Sequence, residues 1–208
     1  MTQKYDVLTE LFSMLGSYNR SAKYQLVPSE KENLFRIKAL RSFGDVKVGD
    51  IGGLVSGENN LSHNGTCWVY DDAQVTGKAK VTAGAQIRDN ARVEENAEIG
   101  GYAKVSGNSL ITNKARVKAF SRVKDNAHIG GNALIEHCAT VFGHARIEDN
   151  AKLGGYVNIG GDARICADSR IGYEKNSPGY TIANKNHSEM ITCGDYRERK
   201  KIDWPAPT

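Results

Sequence analysis

The chain has 208 residues, a formal net charge of +4 and four cysteines, a length that suits one domain and a charge too small to mark a nucleic-acid-binding protein by itself. Cys67, Cys138, Cys166 and Cys193 form no CxxC pair and have no histidine at zinc-ligand spacing, which argues against a zinc site and for free thiols in a reducing, cytoplasmic compartment. No stretch is long and apolar enough to span a bilayer, and the N-terminus lacks the layout of a signal peptide.

Val7, Leu8, Leu11, Phe12, Leu15 and Tyr18 recur at helical spacing and predict an amphipathic helix over residues 6–18. Its polar face is not basic, so packing on the domain or on a neighbouring subunit fits it better than a membrane surface. Residues 24–27 and 35–39 read as strands, the second alternating Phe35, Ile37 and Ala39. Gly44-Asp45, Gly49-Asp50 and Gly52-Gly53 follow as turn signals.

From Val69 to Ile171 an aliphatic residue recurs every six positions without a break, among them Val75, Ile87, Ile111, Ile135, Leu153 and Ile165. From Val75 on, two residues before each stands an Ala or Ser, with Val157 in that place once. One position separates the two, so both point to the same side of a short strand. The corner positions are rich in Gly, Asn and Asp, which tolerate left-handed backbone angles. A period this short and this regular predicts a solenoid.

Sorting the residue before each small one modulo 18 separates three columns: Gly84, Tyr102, Phe120, Cys138, Tyr156; then Asp72, Asn90, Asn108, Asn126, His144, Asp162; then Lys78, Asn96, Lys114, Asn132, Asn150, Asp168. The aromatics share one column, as three hexads per coil requires. Seventeen hexads then make between five and six coils of a triangular prism. Its open ends need covering, so the expected organisation is helix and cap over 1–68, β-helix over 69–172, and a C-terminal cap and basic tail over 173–208. In that last segment Tyr180-Thr-Ile and Met190-Ile-Thr-Cys read as strands, and Arg197, Arg199, Lys200 and Lys201 as a solvated run or a partner contact.

The pattern resembles the hexapeptide repeat, whose families form left-handed parallel β-helices. Phe35-Arg-Ile-Lys-Ala-Leu, Phe43-Gly-Asp-Val-Lys-Val-Gly-Asp-Ile-Gly-Gly, Asn60-Leu-Ser and Cys67-Trp-Val-Tyr-Asp-Asp-Ala-Gln-Val are similar to the opening region of YdcK-type proteins. Leu54 departs from that pattern, which has Trp after the Gly-Gly pair. The resemblance implies an all-β, single-stranded left-handed parallel β-helix of bacterial or phage origin. It also implies one candidate activity, acyl transfer from acetyl-CoA.

Outward positions fall on three faces. The face after the aromatic corner carries Arg88, Lys104, Arg122 and Lys124 and no acid of its own, whereas the other two mix signs. Beside it stand Tyr102, Phe120 and Tyr156. Cations flanked by aromatics suit a nucleotide, a nucleic-acid strand or an acidic protein surface. The same edge also fits plain coil-to-coil stacking or a subunit interface, and Leu110, Leu134 and Phe142 point outward as contacts for a homo-oligomer, a trimer favoured.

An acyltransferase needs a base, and the histidines are His63, His128, His137, His144 and His187. Neither His128 nor His144 has a carboxylate partner evident from spacing, His63 and His187 lie in the caps, and no insertion breaks the repeats to enclose a substrate. Asp89, Asp125 and Asp149 sit at corners where aspartates bond the backbone, so no metal is expected. The residues favour a non-enzymatic binding or assembly surface without a cofactor. The acyltransferase is the alternative.

Overall fold

Every hexad closes on one residue in the left-handed backbone region. In the computed structural model of the protein, which describes residues 22–173 and 181–184, that residue recurs every six positions from Asp71 to Ala167, with φ between 51° and 71°. Gly, Asp or Asn takes most of these corners; Ala83, Glu95, Ala119, His137 and Ala167 take the rest.

Between corners run very short strands. After β1 (Tyr24–Pro28), β2 (Phe35–Ala39) and β3 (Ile51–Val55) come β4 (Trp68–Val69) through β21 (Arg170–Ile171), one per hexad, and then β22 (Thr181–Asn184). They form three stacked sheets, one per face of the prism. The first face is the seven-stranded sheet from β4 to β22; the second is nine-stranded because β1, β2 and β3 precede β5 in it; the third has six strands from β6 to β21. Register advances by one coil of 18 residues: Lys104 lies opposite both Gln86 and Arg122. Within the stack all pairing is parallel, as the three-hexad coil requires.

The stack begins earlier than the hexads suggest. Val55 pairs with Val75, Leu61 bridges to Val81 and Val69 pairs with Ile87, so an irregular first coil precedes the regular ones. With β22 on β19 at the far end, the solenoid has about seven turns rather than the five to six expected from periodicity.

Burial explains the repeat. The small residues from Ala73 on and the aliphatics from Val69 to Ile165 are at most 1% exposed. Ser109, Ser121 and Ser169 are tolerated inside because each hydroxyl donates to the carbonyl three residues back, at 2.8, 2.6 and 2.5 Å. Corner aspartates bond the backbone of the next coil. Asp71, Asp89, Asp125 and Asp149 accept the N–H of the residue 18 positions on, at 3.0, 2.8, 3.1 and 2.9 Å. The neighbouring asparagines form amide ladders, Asn90 to Asn108 to Asn126 at 3.3 and 3.2 Å.

The N-terminal strands cap the open end. β1 and β2 pair antiparallel, β2 pairs antiparallel with β3, and β3 joins the stack in parallel on β5. Gly52 and Gly53 lie inside β3 and are not a turn. A Cβ at Gly52 would stand 2.5 Å from the Val69 carbonyl and 2.8 Å from the Trp68 ring, and one at Gly53 2.6 Å from the Ala73 carbonyl. Glycine is needed there for close approach. Asn60, fully buried, donates to the Gly77 and Ala79 carbonyls at 3.1 and 2.9 Å and accepts from the Ser56 and Gly57 amides. Leu54, within β3, is buried. The helix expected over 6–18, the Met190–Cys193 strand and the basic run lie outside the described residues.

Two measurements test this account. Ile111, fully buried between Val93 and Ile129, should not tolerate aspartate: Ile111→Asp should cost several kcal/mol and abolish the cooperative unfolding transition seen by circular dichroism. At the corners, Gly131→Ala should destabilise by about 1–2 kcal/mol, since φ is 63° and the new Cβ would meet the Asp149 amide at 2.6 Å. Ala119→Gly, at φ 57°, should be neutral or mildly stabilising.

Candidate binding face

The strands of the first face turn Lys104 and Arg122 outward because Val105 and Val123 occupy the inward positions. The two cations are in register on adjacent coils, about 4.8 Å apart along the stack. Lys124, two residues after Arg122 and just past its strand, lies with its ammonium 5.4 Å from the Phe142 ring centre. All three are exposed, and none forms an ion pair among the described residues. The Phe142 ring rests on Gly160, where a Cβ would fall 2.2 Å from it.

Arg88 behaves differently. Its guanidinium stacks 3.7 Å from the Tyr70 ring centre and pairs with Asp45 at 2.8 Å. Tyr70 donates to the same carboxylate through a short hydrogen bond. That bond, with the Arg88 contact, holds Asp45 below its ordinary acidity range. The first face therefore has an acid after all, supplied from the cap, and Arg88 is committed to fastening the cap rather than facing solvent alone.

Of the edge aromatics, Tyr102 and Phe120 come together, with ring centres 5.4 Å apart and planes 9° from parallel. Both are more than 60% exposed, so the pair is a flat, solvated platform beside Lys104 and Arg122. Tyr156 is separated from Phe120 by the coil of Cys138 and does not share the stack. Five of the expected residues thus form one patch: Tyr102, Lys104, Phe120, Arg122 and Lys124.

The histidines do not converge. His63 Nδ1 accepts the Lys23 amide at 3.2 Å, and its ring stacks on Tyr24 at 4.3 Å. Burial lowers its pKa; nearby Glu58 opposes the shift, and Lys23 and Arg41 add to it. His128 is half-buried on the second face between Leu110 and Arg146 in register, its Nε2 without a hydrogen-bond partner among the described residues. His137 occupies a left-handed corner, 4.0 Å from Glu136 Oε1, an oxygen that already accepts Tyr173 at 2.8 Å. His144 is exposed at its corner, and His187 lies outside the described residues. No histidine–carboxylate pair at hydrogen-bond distance exists among the described residues.

Charge sorting alone missed a trough on the corner between the second and third faces. One open groove of about 420 Å³ is lined by Asn96, Glu98, Lys114, Arg116 and Asn132. A second of about 450 Å³ shares Arg116 and Asn132 and continues along Asn150, Lys152, Asp168 and Arg170. The Asn132–Asn150–Asp168 hydrogen bonds, both 2.9 Å, run along it. These residues were visible as one corner column and the adjoining outward positions of the third face, but concavity was not. Among the described residues no cluster of His, Cys, Asp and Glu is placed to hold a metal ion, and no helix is long and apolar enough to cross a membrane.

No protein-family profile matches the chain. A protein of Escherichia coli (strain K12), described as the uncharacterized acetyltransferase YdcK, is 35% identical over 80 residues, 38% of this chain and 23% of that protein. The chain therefore matches under a quarter of that relative's length. An aliphatic and a small residue at fixed places in every hexad contribute to identity wherever two such prisms align. This similarity and the stacked parallel strands together fit a hexapeptide-repeat β-helix.

The His63 contact gives a pH test. A protonated imidazole cannot accept the Lys23 amide, and the folded pKa lies below the ordinary value near 6.5. The contact's contribution is therefore complete above about pH 6.5 and lost as pH falls through that value toward the folded pKa. Urea midpoints should drop between about pH 7.5 and about pH 5.5. His63→Asn, which keeps an acceptor without titrating, should flatten that dependence; an unchanged slope would assign it elsewhere.

Proposed function

We propose that this protein is a rigid binding surface for an anionic partner. Lys104, Arg122 and Lys124 supply the charge, and Tyr102 and Phe120 the flat apolar platform. The observation that supports this reading is the in-register stacking of Lys104 on Arg122 without an ion pair to either among the described residues. Like charges directly opposite each other in a sheet oppose folding, and a bound anion would offset that repulsion. A nucleotide, a nucleic-acid strand and an acidic protein surface share the required chemistry: negative charge at the cations and, for the first two, a ring to stack on the aromatics. In this reading the protein needs no cofactor and works in the cytoplasm. It acts as a homo-oligomer, a trimer favoured, through outward apolar residues such as Leu110 and Leu134.

A second reading, acyl transfer from acetyl-CoA, is supported by the similarity to the E. coli acetyltransferase-described protein. It requires a histidine base and a water-excluding pocket. The described histidines lack a carboxylate at hydrogen-bond distance, and the described grooves are open, so binding ranks first.

Anisotropy of a labelled single-stranded oligonucleotide, measured across a salt series, separates the two. Wild type should bind with an affinity that falls steeply with salt as counterions are released. Replacing Arg122 and Lys124 by Ala should weaken binding by roughly tenfold or more at low salt, with thermal stability nearly unchanged. His128→Ala and His144→Ala should bind like wild type. Acetyl-CoA heats showing micromolar binding, together with an Arg122/Lys124 variant that behaves like wild type, would put the acyltransferase first.

A further inference from the structure

Beneath the cap lies a pair of reactive groups that the binding face does not use. Lys23 and Cys67 are both fully buried. The Lys23 Nζ donates to the Cys67 carbonyl at 2.7 Å and lies 3.2 Å from the Cys67 Sγ. On its other side the amine stands 5.1 Å from the centre of the Phe43 ring. The sulfur is ringed by carbonyl oxygens, those of Ser62, Val81 and Asn64 at 3.5, 3.6 and 3.8 Å. Burial lowers the Lys23 pKa, against the opposing influence of Cys67, and so favours the neutral, nucleophilic amine.

We propose that Lys23 and Cys67 are a modification site, a covalent nitrogen–sulfur cross-link closed by peroxide. Hydrogen peroxide oxidises the Cys67 thiol to a sulfenic acid and is itself reduced to water. The Lys23 lone pair then attacks the sulfenyl sulfur. An N–S bond forms, the S–O bond breaks, and the departing hydroxide leaves as water with a proton from the nitrogen. The net change in the protein is the loss of two hydrogen atoms. The amine in contact with the sulfur intercepts the sulfenic acid before a second peroxide molecule reaches the buried site. Cys138 and Cys166 are only half-buried, and no lysine amine approaches either sulfur among the described residues.

The link would join positions 44 residues apart, tying the start of β1 to the first coil. Closing a loop of that size restricts the unfolded chain and strengthens the cap. The cap would thus be fastened more tightly in an oxidising environment and released by thiols.

Peptide mapping tests this on the full-length protein with Cys138, Cys166 and Cys193 replaced by Ser. After exposure to hydrogen peroxide, a cross-linked peptide containing Lys23 and Cys67 should appear. It should be lighter than the sum of its parts by two hydrogen atoms and disappear on treatment with dithiothreitol. The oxidised protein should melt roughly 5–10 °C above the reduced form. Lys23→Met should give no cross-link under the same treatment; should that variant fail to fold, the wild-type map decides alone. Recovery of Cys67 as an alkylatable thiol after unfolding, or as sulfinic acid beside an unmodified Lys23, overturns the proposal. A cross-link carrying an extra oxygen overturns the direct N–S bond.

Discussion

Everything in this molecule depends on one requirement: the backbone of each coil must find its hydrogen-bond partners in the coils next to it. A hexad is too short to pair with itself, so strand amides donate forward by nearly one coil, Gln86 to Ala103 and Arg88 to Val105, both at 2.9 Å. The corners are the difficult part, because a left-handed residue turns its N–H out of the sheet ladder. At Gly107 the previous coil supplies both partners. The Asn90 amide donates to its carbonyl at 3.0 Å, and the Asp89 carboxylate accepts its N–H at 2.8 Å. The corner composition of Gly, Asn and Asp therefore has two causes acting together, tolerance of positive φ and the need for a short acceptor reaching the next coil.

This explains why the prism was legible in the sequence and the cap only in part: its strands over 24–27 and 35–39 were readable, but not how the chain joins the stack. A constraint repeated in every coil leaves a periodic trace, and sorting by 18 recovered faces, edges and the Tyr102–Phe120 stack without coordinates. The first coil obeys the same hydrogen-bond rule, yet Val55, Leu61 and Val69 reach it through unequal spacings, so no period marks them. Gly52-Gly53 carries the composition of a turn but stands in a strand, because what demands glycine is the Trp68 ring and the Val69 carbonyl pressing on it. Lys23 gave no local signal at all. Its burial depends on Cys67 and Phe43, contacts made across tens of residues.

The candidate face was half legible for the same reason. Lys104, Arg122 and Lys124 follow from register alone. Arg88 belongs to the same column, but Asp45 and Tyr70 reach it from outside the regular repeat and change its role from ligand contact to tether. The trough beside Asn132 and Asn150 shows the complementary failure. Its residues are periodic and were sorted correctly, but a groove is a property of how side chains of unequal length stand together. Short corner residues such as Asn132 and Asn150 beside the longer Arg116, Lys152 and Arg170 leave such a hollow; reading only the signs of charge does not reveal it.

A stack of this kind limits what function can look like. Side chains on one face are fixed at the coil spacing by backbone hydrogen bonds on both sides, so neighbouring cations cannot separate to relieve repulsion except by bending their own stems. Lys124 is spared this because the residue one coil on is Phe142, and Arg88 because the residue one coil back is Tyr70, so each lies against a ring rather than a second cation. Lys104 and Arg122 have no such support among the described residues. Some cations on the prism find carboxylates, as in Arg92–Glu94, Lys118–Glu98 and Arg164–Glu148, but Lys152 and Arg170 are another in-register pair without an ion pair among the described residues. At Lys104 and Arg122 a neutral pair would fold at least as well. The regular backbone accounts for where Lys104 and Arg122 point but not for their charge. Under the proposed function, that charge serves interaction with something outside the chain.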